Sequence, residues 1–242
     1  LINYISTLGW PENEKEFDDF WPGYQVAGKD NLRQQAAVWQ AMLASAGLPF
    51  SKQVFIHGFV TLNGKKISKS LGNTINPVEV AKKYGTDALR YYLLAKINPT
   101  EDSDFSFGKF EEVYNGDLAN SLGNLVSRVA KLCEKSGFDF TIDTSMYQQL
   151  DTDIQTSLDE YKFDEVLKGI WGKISETDKF INENEPWKLS GDKLKQILDR
   201  AVLNIKTIAF NLSPFLPQTA DAIQKQFNRN KIKSQKPLFP RL

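Results

Sequence analysis

The chain has one cysteine, Cys133, and one histidine, His57, in 242 residues. One thiol excludes both a disulfide framework and a multi-cysteine metal site; a reducing, cytoplasmic setting is expected. No apolar run reaches the length of a membrane span, so no membrane association is expected. The start, Leu1-Ile2-Asn3-Tyr4-Ile5, lacks the basic-then-apolar pattern of a signal peptide and has no initiator methionine. It opens inside a β-like segment, and the expectation is the rear part of something longer. Net charge is absent too: 30 basic residues balance 30 acidic ones, which excludes a whole-protein field for nucleic acid and leaves only local sites. Internal repeats and low-complexity segments are also missing.

What is present is ordinary globular material, 41% hydrophobic, enough for one large core or two modest ones. Its texture changes near residue 100. Before that point strand-like and helical runs alternate: Tyr24 to Ala27, a helix from about Asn31 to Ala46, then Gln53 to Thr61, the order of a βαβ unit. Two helices are expected between Pro77 and Ile97, separated at Tyr84-Gly85-Thr86, with Thr86 or Asp87 available to cap the second. Beyond Pro99 no strand is expected. Phe110, Val113, Tyr114, Leu118, Leu122, Leu125, Val126, Val129, Leu132 and Cys133 recur at three and four and give one helix its buried face. Similar periods run from about Phe163 to Phe180 and from about Leu194 to Leu212, and a short helix spans Gln218 to Phe227.

The fold class expected is therefore α/β, a partial Rossmann-like parallel sheet, followed by an all-α helical bundle. Residues 1–75 would form the first part, 76–109 connecting helices, 110–228 the bundle and 229–242 a basic tail. From Ala222 to Leu242 there are six cationic residues and no side-chain carboxylate. A solvated tail is the favoured reading, with contact to nucleic acid as its rival.

Three constellations stand out. Gly28-Lys29-Asp30 falls where a strand ends and a helix begins, the position at which open parallel sheets bind ligands and a carboxylate can take ribose hydroxyls. Alone, the aspartate reads more simply as a helix cap. The segment Gly64-Lys65-Lys66-Ile67-Ser68-Lys69-Ser70-Leu71-Gly72-Asn73 is not a Walker A loop, yet lysines on a glycine-flanked loop, with Ser68 and Ser70 as further donors, suit phosphate. A charged hairpin tip is the plainer alternative. Finally, Asn124 and Arg128 lie four apart and share a polar stripe with Asn120, Ser127 and Lys131, opposite the apolar face of their helix.

Lys66-Ile67-Ser68-Lys69-Ser70 resembles the KMSKS signature of class I aminoacyl-tRNA synthetases, with isoleucine at the usual methionine. His57-Gly58-Phe59-Val60, Gly85-Thr86-Asp87-Ala88-Leu89-Arg90-Tyr91-Tyr92 and Gly28-Lys29-Asp30 together resemble the methionyl-tRNA synthetase family over nearly the whole chain. The resemblance implies ATP-dependent activation of methionine and transfer of the methionyl group to tRNA(Met). It implies Lys66 and Lys69 as the phosphate-stabilising catalytic lysines, Gly28, Asp30, His57, Gly58, Ser68 and Ser70 as further ATP-binding residues, and Mg²⁺ accompanying the nucleotide. His57 reads as a packed or hydrogen-bonded residue, not a catalytic base, because the family chemistry needs none.

The same resemblance assigns anticodon reading to Asn124 and Arg128, which match the family's N-x-x-x-R, and to Trp187 of Asn184-Glu185-Pro186-Trp187, which would stack on a base of CAU. Two departures matter. Asn31 and Gln34-Gln35 stand where the family has an apolar residue and an aromatic-histidine pair, so Asn31 and Gln35 become candidate walls of the methionine pocket, with Trp39 a core residue first and pocket wall second. The H-I-G-H signature and the cysteine-bearing zinc insertion do not occur. The implied partners are methionine, ATP, tRNA(Met) with a CAU anticodon, and an N-terminal catalytic half, without which the chain is expected to be inactive. A synthetase for leucine, valine, isoleucine or cysteine, or a non-catalytic tRNA-binding module, are the alternatives.

Overall fold

The computed structural model describes residues 1–67, 72–141 and 152–242. The chain forms two compact units: Leu1–Val60 with Pro99–Ser103, and Thr61–Asn98 with Asp104–Leu242. These units are drawn by packing, whereas the four segments expected above follow sequence texture.

The first unit begins with helix α1 (Asn3–Ser6), which corrects the β-like reading of the opening residues, and α2 (Glu14–Phe20), started by Asn13, whose side chain accepts a hydrogen bond from the Glu16 amide. Strand β1 (Tyr24–Gly28) pairs in parallel with β2 (Gln53–His57), Tyr24 opposite Gln53 and Gly28 opposite His57. The crossover between them is the helix expected from about Asn31 to Ala46: a 3₁₀ turn (Lys29–Asn31) leads into an unbroken helical run in which a π-helical stretch (Gln34–Val38) precedes helix α3 (Trp39–Ser45). Ile5, Phe17, Trp21, Trp39 and Leu43 form the core, with Trp21 between the rings of Phe17 and Trp39. Trp39 is thus a core residue.

Strands β4 (Lys65–Lys66), β3 (Val60–Leu62) and β5 (Ser103–Phe105) make a small sheet in that order, β3 and β4 antiparallel, all but its end residues Val60 and Ser103 belonging to the second unit. Strand β5 corrects the expectation that strands end at Pro99. Its three residues are too short to leave a periodic signal. Helices α4 (Pro77–Tyr84) and α5 (Thr86–Ala95) follow the expected division at Gly85. Asn76, not a residue of α5, supplies the side-chain cap here. Thr86 and Asp87 make no such cap, because Asp87 is buried and its Oδ2 accepts instead from the Thr219 amide at 2.6 Å.

The long amphipathic run is one continuous rod, α6 (Phe107–Val113), a π-helical segment (Tyr114–Gly123) and α7 (Asn124–Ser136). Helices α8 (Thr152–Asp159), α9 (Phe163–Asn184), α10 (Gly191–Leu212) and α11 (Pro217–Phe227) complete the bundle. Leu122, Val129, Ile170, Leu198, Ile205 and Ile223 are fully enclosed in its core. The basic tail is docked, which corrects the solvated reading. Ile232 and Phe239 are buried, Phe239 against Tyr114, and Lys231 pairs with Asp139 at 3.1 Å while Arg241 donates twice to Asn120. Two apolar side chains among the lysines carry enough hydrophobic free energy to fix the segment.

Candidate functional site

Parallel pairing of β1 and β2 brings their carboxyl ends side by side, and with them three of the expected ATP residues. A β-carbon added to Gly28 would lie 2.9 Å from Asp30 Oδ1 and 3.4 Å from His57 Cε1. Gly28, Asp30 and His57 therefore surround one space that only a glycine leaves open. Asp30 is exposed on the 3₁₀ turn after β1, and Asn31 Nδ2 donates to its Oδ1 at 3.3 Å. His57 Nδ1 donates to the Gly58 carbonyl at 2.8 Å, and Nε2 lies 3.6 Å from where a β-carbon on Gly28 would stand.

Gly58 is needed for a different reason. The backbone of Glu101 crosses directly over it, 1.9 Å from where a β-carbon would stand, and the Gly58 amide donates to the Pro99 carbonyl. Sequence reasoning missed what holds this crossing. Lys29, between the two ribose candidates, reaches Asp102 at 2.7 Å, and Asp102 also accepts from the Phe59 amide at 2.8 Å. The Lys29 ammonium first, and the Phe59 N–H second, hold the Asp102 carboxyl below the usual carboxylate range. The partners are 73 residues apart, and no local pattern announces the pair.

The two candidates for the methionine pocket separate in character. Asn31 is exposed, whereas Gln35 is buried, donating to the Tyr4 hydroxyl at 3.1 Å while its Oε1 has no partner among the described residues. Tyr4 stands edge-on to Trp39 at 5.7 Å.

In the second unit, Lys66 lies on β4 opposite Thr61, its side chain exposed. Ser68, Lys69 and Ser70 lie outside the described residues. The turn ahead of Lys66 is Asn63-Gly64, with φ of 51° and 73°, the two-residue hairpin geometry that favours asparagine followed by glycine. The dipeptide was visible in the sequence and is the signal that places Lys66 on a hairpin. Beyond the loop, Asn73 Nδ2 donates to the Lys66 carbonyl at 2.9 Å.

On the bundle, Asn124 is exposed at the start of α7. Arg128 is not a free arginine on a solvated face: it donates to Asp178 Oδ1 at 2.7 Å and to Asn182 Oδ1 at 2.9 Å, both on α9. Trp187 sits in a 3₁₀ turn beyond the end of α9, after Glu185 turns the chain with φ of 41°. The residue is 53% exposed, which leaves apolar surface available to stack against. Among the described residues, no cluster of three or more histidine, cysteine or carboxylate side chains could hold a metal ion, and no helix is long and apolar enough to cross a membrane.

A family model described as tRNA synthetases class I (M) matches residues 1–130. The chain is 36% identical over 96% of its length to the methionine–tRNA ligase of Fusobacterium nucleatum, and 38% identical over 94% to that of Clostridium acetobutylicum. It spans 39% and 38% of those two relatives. Among solved structures, Mycobacterium tuberculosis methionyl-tRNA synthetase in complex with methionyl-adenylate superposes with a TM-score of 0.84 at 25% identity, covering 99% of this chain and 54% of that one. With the family model matching more than half of the residues, the chain belongs to the methionyl-tRNA synthetases of class I.

Proposed function

We propose that this chain supplies the lysine hairpin and the anticodon-reading bundle of a cytoplasmic methionine–tRNA ligase. The observation that carries this reading is the meeting of Gly28, Asp30 and His57 at the carboxyl ends of two parallel strands. An exposed carboxylate there accepts from both ribose hydroxyls of ATP, and the missing side chain at Gly28 lets the sugar approach. In the first step a carboxylate oxygen of methionine attacks the α-phosphorus, and the bond to the bridging oxygen breaks to release pyrophosphate. In the second, a terminal hydroxyl of tRNA attacks the carbonyl carbon of the adenylate and AMP leaves. Charge grows on the phosphate oxygens in the first step, where Lys66 and Lys69 act; such preorganised donors contribute on the order of 10²–10³-fold each. Mg²⁺ arrives as part of the nucleotide and shares that neutralisation.

The open sheet supports the proposal of a catalytic partner segment. Parallel strands are normally covered on both faces, yet Val26 of β1 is 63% exposed and Tyr24 53%. We assign that cover to an N-terminal catalytic half. The 242 residues alone are accordingly expected to give no methionine-dependent ATP–pyrophosphate exchange. In the complete enzyme, Trp187→Ala should reduce charging of tRNA(Met) by about 5- to 150-fold, the stacking energy of one base. Adenylate formation should be unchanged. Equal losses in both steps, or equal charging of transcripts with CAU and altered anticodons by the unmodified enzyme, would overturn the assignment.

A further inference from the structure

We propose that Asp104 is a positioning residue for Lys66, fixing the hairpin on which that lysine stands; the inference rests on the reading of Lys66 as a phosphate-binding lysine. Asp104 lies on β5, and its Oδ1 takes two hydrogen bonds, from the Gly64 amide at 2.7 Å and from the Thr61 hydroxyl at 2.7 Å. Gly64 is the second turn residue of the β3–β4 hairpin, and Thr61 is the β3 residue paired with Lys66. One carboxylate oxygen therefore grips the hairpin at its tip and directly across from the lysine. A third tie runs from the Asn63 amide to the Phe105 carbonyl at 3.1 Å, and the Asn73 side chain holds the Lys66 carbonyl from the far side. The Gly64 N–H first and the Thr61 hydroxyl second hold the Asp104 carboxyl below its ordinary range, as expected of an ionised acceptor engaged in short bonds.

A lysine ends in a point charge on a flexible four-carbon stem, so the accuracy with which it meets a phosphate depends on how firmly its backbone is held. A two-stranded ribbon whose second strand has two residues cannot provide that by itself. Asp104 does so without touching substrate, and its place two residues after Asp102 gives the chain an Asp-x-Asp whose second member serves the hairpin.

The test uses the full-length enzyme and four forms: unmodified, Asp104→Ala, Lys66→Ala and the double variant, with Asp104→Asn as the conservative form. Asp104→Ala should lower kcat of methionine-dependent ATP–pyrophosphate exchange about 10-fold with KM for methionine unchanged, and Asp104→Asn, which keeps an acceptor oxygen in place, should recover most of the loss. In the Lys66→Ala background, Asp104→Ala should have almost no further effect on kcat, because a positioner has nothing left to position. A merely structural aspartate would lower the melting temperature and leave that non-additivity absent. Unchanged kcat in Asp104→Ala, or losses that multiply in the double variant, would overturn the inference. If Lys66→Ala alone leaves exchange at the unmodified rate, the phosphate-lysine reading itself fails.

Discussion

A methyl group at Gly58 would meet the Glu101 carbonyl at 1.9 Å, and backbone cannot swing aside as a side chain can. Gly58→Ala should therefore destabilise the first unit by about 3 kcal/mol, measured by denaturant titration. Gly28→Ala is the instructive contrast, because its neighbour at 2.9 Å is the end of the Asp30 side chain. That substitution should leave stability within about 0.5 kcal/mol while weakening ATP binding in the complete enzyme by displacing the carboxylate. Asp102 carries a pH signature. Its folded-state carboxyl is depressed by Lys29, so the pair stabilises the protein above the unfolded carboxyl range and loses that contribution as pH falls through the folded value. Lys29→Met should be less stable than the unmodified chain at neutral pH, and the two unfolding curves should converge in acid. Both partners are well exposed, so the gap is small.

At the scale of elements, helix α5 acts as a bracket. Arg90 donates to the Phe215 carbonyl at 2.6 Å and the Pro214 carbonyl at 2.9 Å, and Asp87 caps the first turn of α11 at the Thr219 amide. One helix thus satisfies two carbonyls of the turn between α10 and α11 and an amide left where α11 begins. Asp87→Ala should cost about 2 kcal/mol and raise hydrogen exchange of the Thr219 amide more than that of amides in the middle of α10. Uniform exchange changes along both helices would instead mark a global loss. The same bracket shows where sequence reading stops. Tyr84-Gly85-Thr86 correctly marks a boundary between two helices, since the positive φ of Gly85 is a local matter. It also suggests a local cap, and Asp87 instead serves a helix 132 residues further on. The π-helical segments at Gln34–Val38 and Tyr114–Gly123 keep roughly helical periodicity and leave no separate trace in an apolar pattern.

At the scale of the molecule, each unit carries its own probe. Trp10, Trp21 and Trp39 lie in the first unit, whose core is a small aromatic cluster. Cys133 lies in the second, fully buried, with its thiol pushed up to about 12 mainly by burial. A protonated, enclosed thiol reacts only when its surroundings open. In a Trp171→Phe, Trp187→Phe form, whose remaining tryptophans all lie in the first unit, fluorescence should change with rising denaturant before Cys133 becomes accessible to a thiol reagent, because the smaller core has less apolar area to lose. Coincident transitions would show a single cooperative unit.

The sequence by itself determined whatever depends on neighbours a few positions away. The hairpin turn at Asn63-Gly64, the helix break at Gly85 and the shared face of Asn124 and Arg128 all follow from backbone geometry over two to four residues. Tertiary structure alone decided the partners of the charges: Lys29 with Asp102, Arg128 with an aspartate 50 residues away, Asp104 with the hairpin, and the docking of the basic tail. Such partners meet only after the chain has closed long loops, and an aspartate carries no mark in the sequence of which distant amide or ammonium will face it.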